Sequence, residues 1–164
     1  MASGDTLQIF YAWGASVPYS TTYPDFSVIQ SATSKECFPI ANFDNASTDY
    51  LDFTGVLPDY YDAGGVTCTI IWAYANTSTG PTWGIAFRAV PNDTEDLDLN
   101  HTYDYNTVVP GIPSSVGEVG YDNITFTNGV DMDSLAAGQL FNLRIRRTSG
   151  SYVARLLAIH MKET

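Results

Sequence analysis

Basic side chains are scarce in this sequence. Seven Lys and Arg stand against 18 Asp and Glu, and the formal net charge is −11. Such a field repels phosphates and argues against nucleic acid as a partner. Cysteine is nearly absent: Cys37 and Cys68 alone cannot form the framework that staples small secreted domains. Cys68 falls on the apolar side of an alternating run and reads as a small buried hydrophobe, with a single bridge to Cys37 left open. No uninterrupted apolar run approaches the ~20 residues of a membrane-spanning helix. Residues 1–25 lack the basic start and apolar stretch of a signal peptide. The expectation is a protein made in a reducing cytoplasm, with no membrane partner. Heptad or 3.6-residue periodicity is also missing, which excludes a helical bundle.

The residues that usually carry catalysis are sparse too. Only His101 and His160 could act as a base near neutral pH. His160 reads as a strand-end surface residue, and His101 lies beside Asp98 and Asp104. No Ser or Cys sits in a nucleophile elbow. Carboxylate pairs are expected by chance in so acidic a chain. The sequence therefore argues against an enzyme, and no catalytic residue is assigned. Asp96-Leu97-Asp98-Leu99-Asn100 opens like an EF-hand loop, but His101 stands where Gly is needed and Thr107 where the bidentate Glu belongs. The acidic loop from Asp93 to Asp98 is expected to be solvated and metal-free, with calcium held by Asp93, Glu95, Asp96 and Asp98 as the alternative. No spacing suits zinc and no loop suits a phosphate, so no cofactor is expected.

Alternation is what the sequence does have. Between Gly64 and Val90, Val66, Cys68, Ile70, Trp72 and Tyr74 share one side of a strand. After the turn formers of 76–81, Trp83, Ile85, Phe87 and Ala89 do the same. The pair reads as an antiparallel hairpin placed mid-sheet and covered by a second layer. Further strands are expected at Thr6–Trp13, Phe38–Phe43, Asp49–Val56, within Leu97–Thr107, and at Tyr121–Thr127, Gln139–Arg147 and Tyr152–Met161. Asp131–Ala137 reads as one helical turn, capped by Asp131 and ended at Gly138. Eight or nine strands at regular spacing in 164 residues predict one all-β domain, an antiparallel, jelly-roll-like β-sandwich over residues 1–164. The core should hold Cys68, Ile70, Trp72, Ile85, Phe87, Ile124, Phe126, Phe141, Leu143 and Ile145.

Two stretches stand out as contact surfaces. Residues 14–36 carry Tyr19, Tyr23 and Phe26 without a strand period. They read either as a contact arm or as an ordinary loop laid over the sandwich. Five of the seven bases fall in the last 21 residues. Arg144 and Arg146 point outward from their strand, toward solvent or toward acids of this chain or of a neighbour. The last strand shows no polar face, which suggests burial on both sides.

Pro39-Ile40-Ala41-Asn42-Phe43-Asp44, Thr48-Asp49-Tyr50-Leu51-Asp52-Phe53, Leu57-Pro58-Asp59-Tyr60-Tyr61 and Gly64-Gly65-Val66-Thr67 resemble segments of small β-sandwich virion proteins of tailed bacteriophages. So do Ile70-Ile71-Trp72-Ala73, Met132-Asp133-Ser134-Leu135-Ala136-Ala137-Gly138 and Leu143-Arg144-Ile145-Arg146-Arg147. The likeness covers roughly residues 36–164. It implies a capsid decoration, or cement, protein: a homotrimer on the virion surface that bridges subunits of the major capsid protein. Tyr19, Tyr23, Phe26, Arg144 and Arg146 are the candidate interface. The alternative is a receptor- or glycan-binding module of a tail fibre, in which exposed aromatics stack on sugars.

Overall fold

A computed structural model describes residues 4–19, 22–77 and 80–164. Ten strands run in chain order: β1 (Thr6–Tyr11), β2 (Asp25–Gln30), β3 (Cys37–Phe43), β4 (Asp49–Val56) and β5 (Val66–Tyr74), then β6 (Thr82–Val90), β7 (Asn106–Val108), β8 (Val119–Phe126), β9 (Leu140–Ser149) and β10 (Ala154–Glu163). They form two antiparallel sheets. One has the order β2-β3-β10-β5-β8, with β1 also on β10; the other has the order β4-β9-β6-β7. The expected all-β sandwich is the architecture found.

The expected hairpin across residues 74–82 is not. β5 and β6 lie in different sheets, each with a strand on both sides. The physical reason is in their side chains. Both strands are buried on both faces over most of their length. Each therefore needs two strand neighbours and an opposing layer, and the chain crosses between the layers rather than turning back. Trp72 of β5 and Trp83 of β6 meet across the interior with ring centroids 6.2 Å apart. Of the expected turn residues, Ser78 and Thr79 lie outside the described residues.

All ten residues expected in the core are buried. Aromatic edges tie the layers together: Phe43 to Trp83 at 5.0 Å, Phe87 to Phe126 at 4.9 Å and Phe10 to Phe53 at 5.4 Å. Trp72 donates its indole N–H to Asp122 Oδ2 at 2.7 Å. Gly120 lies opposite Trp72, and a Cβ there would stand 2.8 Å from the indole nitrogen. Cys68 is buried, and its thiol pKa is pushed up by loss of solvent. Cys37 is exposed, and the two are not bonded.

Residues 14–36 are less irregular than expected. Asp25–Gln30 forms the edge strand β2 along β3, while Ser20 and Thr21 lie outside the described residues. The period was hidden because β2 is half-exposed on both faces. The two-sided apolar look of the last strand has a local cause. A β-bulge at Leu157 shifts the register between Leu156 and Ala158. Ala154 and Leu156 point inward before it, and Ile159 and Met161 after it. The same residue marks where one edge of β10 passes from β3 to β1. The helical turn at 131–137 shrinks to a 3-10 turn over Val130–Met132. Asp131 lies inside it and accepts the backbone N–H and hydroxyl of Thr127, both at 2.9 Å.

Candidate functional site

Alternation decides which side chains leave the core. Ala41 and Phe43 of β3 are core residues, so Asn42 points away from the interior. Its register partners are Asp25 of β2 and Arg155 of β10. Arg155 in turn pairs with Ala73 of β5, which pairs with Val119 of β8. Neighbouring strands stand about 4.8 Å apart. Asp25, Asn42 and Arg155 thus place a carboxylate, an amide and a guanidinium in one row across three strands, on the outer face of the six-stranded sheet. Among the described residues, no hydrogen bond or ion pair engages any of these three side chains.

The row lies in a cavity of about 810 Å³, with Tyr23 at its rim and Asp44, Ser47 and Asp49 along one wall. That wall is fixed from below. Asp49, only 2% exposed, accepts the Asp44 N–H at 2.6 Å and the Ser47 hydroxyl at 3.0 Å. Thr22 bonds the Thr48 carbonyl, and the Tyr50 N–H bonds the Thr22 carbonyl at 3.1 Å, so the segment bearing Tyr23 is tied to β4. Arg147, 1% exposed, lies in register with Asp49. It donates to the carbonyls of Gly150 at 2.7 Å and Tyr152 at 2.8 Å. These bonds fix the turn into β10, and through it Arg155. Burial lowers the pKa of Arg147, while Tyr74 and Asp49 pull it back up.

A second cavity, of about 380 Å³, continues along the same outer face. Ile29 pairs with Phe38 at one side of it, and Ile71 with Tyr121 at the other. Ala73 and the bulge residue Leu157 also line it. Phe38, Val119 and Tyr121 are exposed there.

The five residues expected to form one contact surface are dispersed. Tyr23 reaches the groove. Tyr19 is 98% exposed. Phe26 is the register partner of Ala41, so it faces the opposite side of β2 from Asp25 and lines a shallow recess with Trp13. Arg144 and Arg146 belong to the other sheet. Arg144 grips Asp52 in its own chain through two bonds of 2.7 Å and lies 4.2 Å from the Tyr103 ring centroid. Arg146 stacks on Tyr105 at 3.6 Å. The loop bearing these tyrosines caps the outer face of the four-stranded sheet. Arg88 of β6 bonds Glu95 of this loop at 2.7 Å, and Asp93 and Asp96 accept from Asn92 Nδ2 and the Asp98 N–H, each at 3.0 Å, so three of the four candidate calcium ligands are already engaged. His101 faces Asp133 at 3.6 Å, neither of its sequence neighbours Asp98 and Asp104. Among the described residues no group of three metal-ligating side chains converges.

Sequence reading missed Asp25, Asn42 and Arg155. Nothing local marks them; they come from three strands, and only the register unites them.

No protein-family profile and no curated protein sequence matches the chain. Solved structures do match it in fold. A family 35 carbohydrate-binding module from an environmental isolate aligns with a TM-score of 0.55 at 10% identity, over 94% of this chain and 92% of that one. A family 35 module from Clostridium thermocellum gives 0.52 at 10% identity, over 94% and 95%. The CBM22-1 xylan-binding domain of Paenibacillus barcinonensis Xyn10C gives 0.52 at 8% identity, over 99% and 96%. None of these three is a virion protein. Their likeness carries the fold: the chain is a small antiparallel β-sandwich of the jelly-roll kind seen in these carbohydrate-binding modules.

Proposed function

We propose that this protein is a non-catalytic carbohydrate-binding module that holds a glycan on the outer face of its six-stranded sheet. The observation that carries the reading is the row Asp25–Asn42–Arg155 in a cavity that Tyr23 also lines. Sugar hydroxyls are donors and acceptors at once. A carboxylate and an amide oxygen accept from them, while an amide N–H and a guanidinium donate to them. A tyrosine ring supplies an apolar face for the sugar's C–H groups. Because none of the three polar side chains is spent on another described residue, each is free to bond ligand. This takes up the glycan-binding alternative of the sequence reading. Capsid decoration draws no support from the folds the chain matches or from the placement of its candidate interface.

Affinity electrophoresis against a panel of soluble polysaccharides, xylan among them, tests the reading. The native protein should be retarded by at least one of them. Asp25→Ala and Arg155→Ala should lose that retardation with an unchanged melting temperature, since both side chains are unpaired among the described residues. No retardation by any polysaccharide, or full retardation of both variants, would remove the proposal.

A further inference from the structure

The outer face carries two chemically distinct cavities, and they are neighbours. Ala73 lines the apolar cavity and is the register partner of Arg155 in the polar one. Leu157 lies two residues along β10 from Arg155. Asn42 and Phe38 sit on the same face of β3, at its polar and apolar ends. No charged side chain lines the apolar cavity, in a chain of net charge −11. A free sugar ring, rich in hydroxyls, would gain little there. Desolvating its hydroxyls against Ile29, Phe38, Ile71 and Leu157 costs more than their contact returns. An apolar group attached to a sugar held in the polar cavity would instead find a matching wall within reach.

We propose that the ligand is amphiphilic: a glycan carrying an apolar alkyl or aryl substituent, with the sugar at Asp25–Asn42–Arg155 and the substituent between Phe38 and Tyr121. This inference rests on the glycan-binding reading and narrows it. Exposed Phe38, Val119 and Tyr121 then form the wall that the substituent covers.

The test is an NMR titration of isotopically labelled protein with methyl, butyl and hexyl β-glucopyranosides and the matching xylopyranosides, with hexanol as control. Affinity should rise about tenfold from methyl to hexyl, a part of the roughly fourfold per methylene that full burial gives. The added shifts should fall on Phe38, Ile71 and Tyr121. Phe38→Ala and Tyr121→Ala should flatten the dependence on chain length. Methyl glycosides that bind with no gain along the series would overturn the amphiphile and leave the glycan reading intact. Hexanol binding as tightly as the hexyl glycosides would overturn it as well, since the sugar would then be idle. Failure of every probe overturns it too, while the polysaccharide experiment judges the parent reading separately. Concentration-dependent shifts at Phe38 and Tyr121 without any ligand would hand the surface to a second copy of the chain and end the proposal.

Discussion

At the scale of single residues, Trp72 does the most. It is fully buried, bonds Asp122, and packs against both Tyr74 and Trp83. Trp72→Ala should cost about 3–5 kcal/mol through lost burial and the cavity left behind. Chemical denaturation measures it, and an unchanged midpoint would contradict the packing. Trp72→Phe should cost less but leave the partly buried Asp122 bond unmade. Asp131 gives a residue-scale pH prediction. The Thr127 N–H, then its hydroxyl, hold the carboxyl below the usual carboxylate value. A depressed folded value means the interaction is fully present above the ordinary Asp pKa. It is lost as pH falls through the lower folded value, so the turn loosens only in acid. Thr127→Val removes the hydroxyl donor and should raise the Asp131 midpoint in an NMR titration. A midpoint that does not move would mean the backbone bond alone sets it.

At the scale of elements, β10 organises the large sheet. It pairs along one edge with β5 and along the other with β3 and then β1, and Leu157 sits at the handover. Deleting Leu157 alone would remove the bulge and leave Leu156 and Ala158 opposite consecutive residues of β5, Trp72 and Ile71, with every inward face kept. Deleting Ala158 with it would slip residues 154–156 by one position against the rest of the strand. Since strand side chains alternate, Arg155 would turn into the core and Leu156 out of it. The double deletion should broaden thermal unfolding and lower its midpoint by well over that of the Leu157 deletion, which keeps the core faces. Equal effects would mean that the faces on either side of the bulge are not locked to this register. Position within the sheets also orders local stability. Amides of β5 and β6, each flanked on both sides, should exchange slowest with solvent. Those of the edge strand β2 should exchange among the fastest. Hydrogen exchange read strand by strand would show the reverse if the two-sheet order were wrong.

At the scale of the whole molecule, charge and interface dominate. A net charge of −11 makes the folded state repel itself. The Debye length falls from about 30 Å at 0.01 M salt to about 3 Å at 1 M. The half-buried Arg144–Asp52 pair is screened less than the exposed acids. Melting temperature should therefore rise with sodium chloride. A fall would show that local ion pairs outweigh the long-range repulsion. Assembly is a separate matter. The apolar second face once attributed to the last strand comes from the bulge. Arg144 has its acid within the chain, and Tyr23 lines the groove. The expected homotrimer is a question for light scattering of the isolated protein: a trimeric mass would bear it out and a monomeric mass would count against it.

The sequence by itself determined the class of fold and most of the core. Strict alternation at Val66–Tyr74, Thr82–Val90 and Phe141–Ile145 commits each segment to a strand and one of its faces to the interior, whatever its partners. It also determined where turns fall, since Gly, Pro, Asn and Asp act through their own backbones. Only the tertiary structure decided pairing. Whether β5 turns back on β6 or crosses to the other layer depends on which neighbours bury their second faces, a long-range matter that no local pattern records. β2 was invisible because no residue of this edge strand is buried, so its two faces differ too little to read. The candidate site was illegible for the same reason. Asp25, Asn42 and Arg155 are far apart in the chain and ordinary where they stand, and only the shared register of three strands makes them one surface.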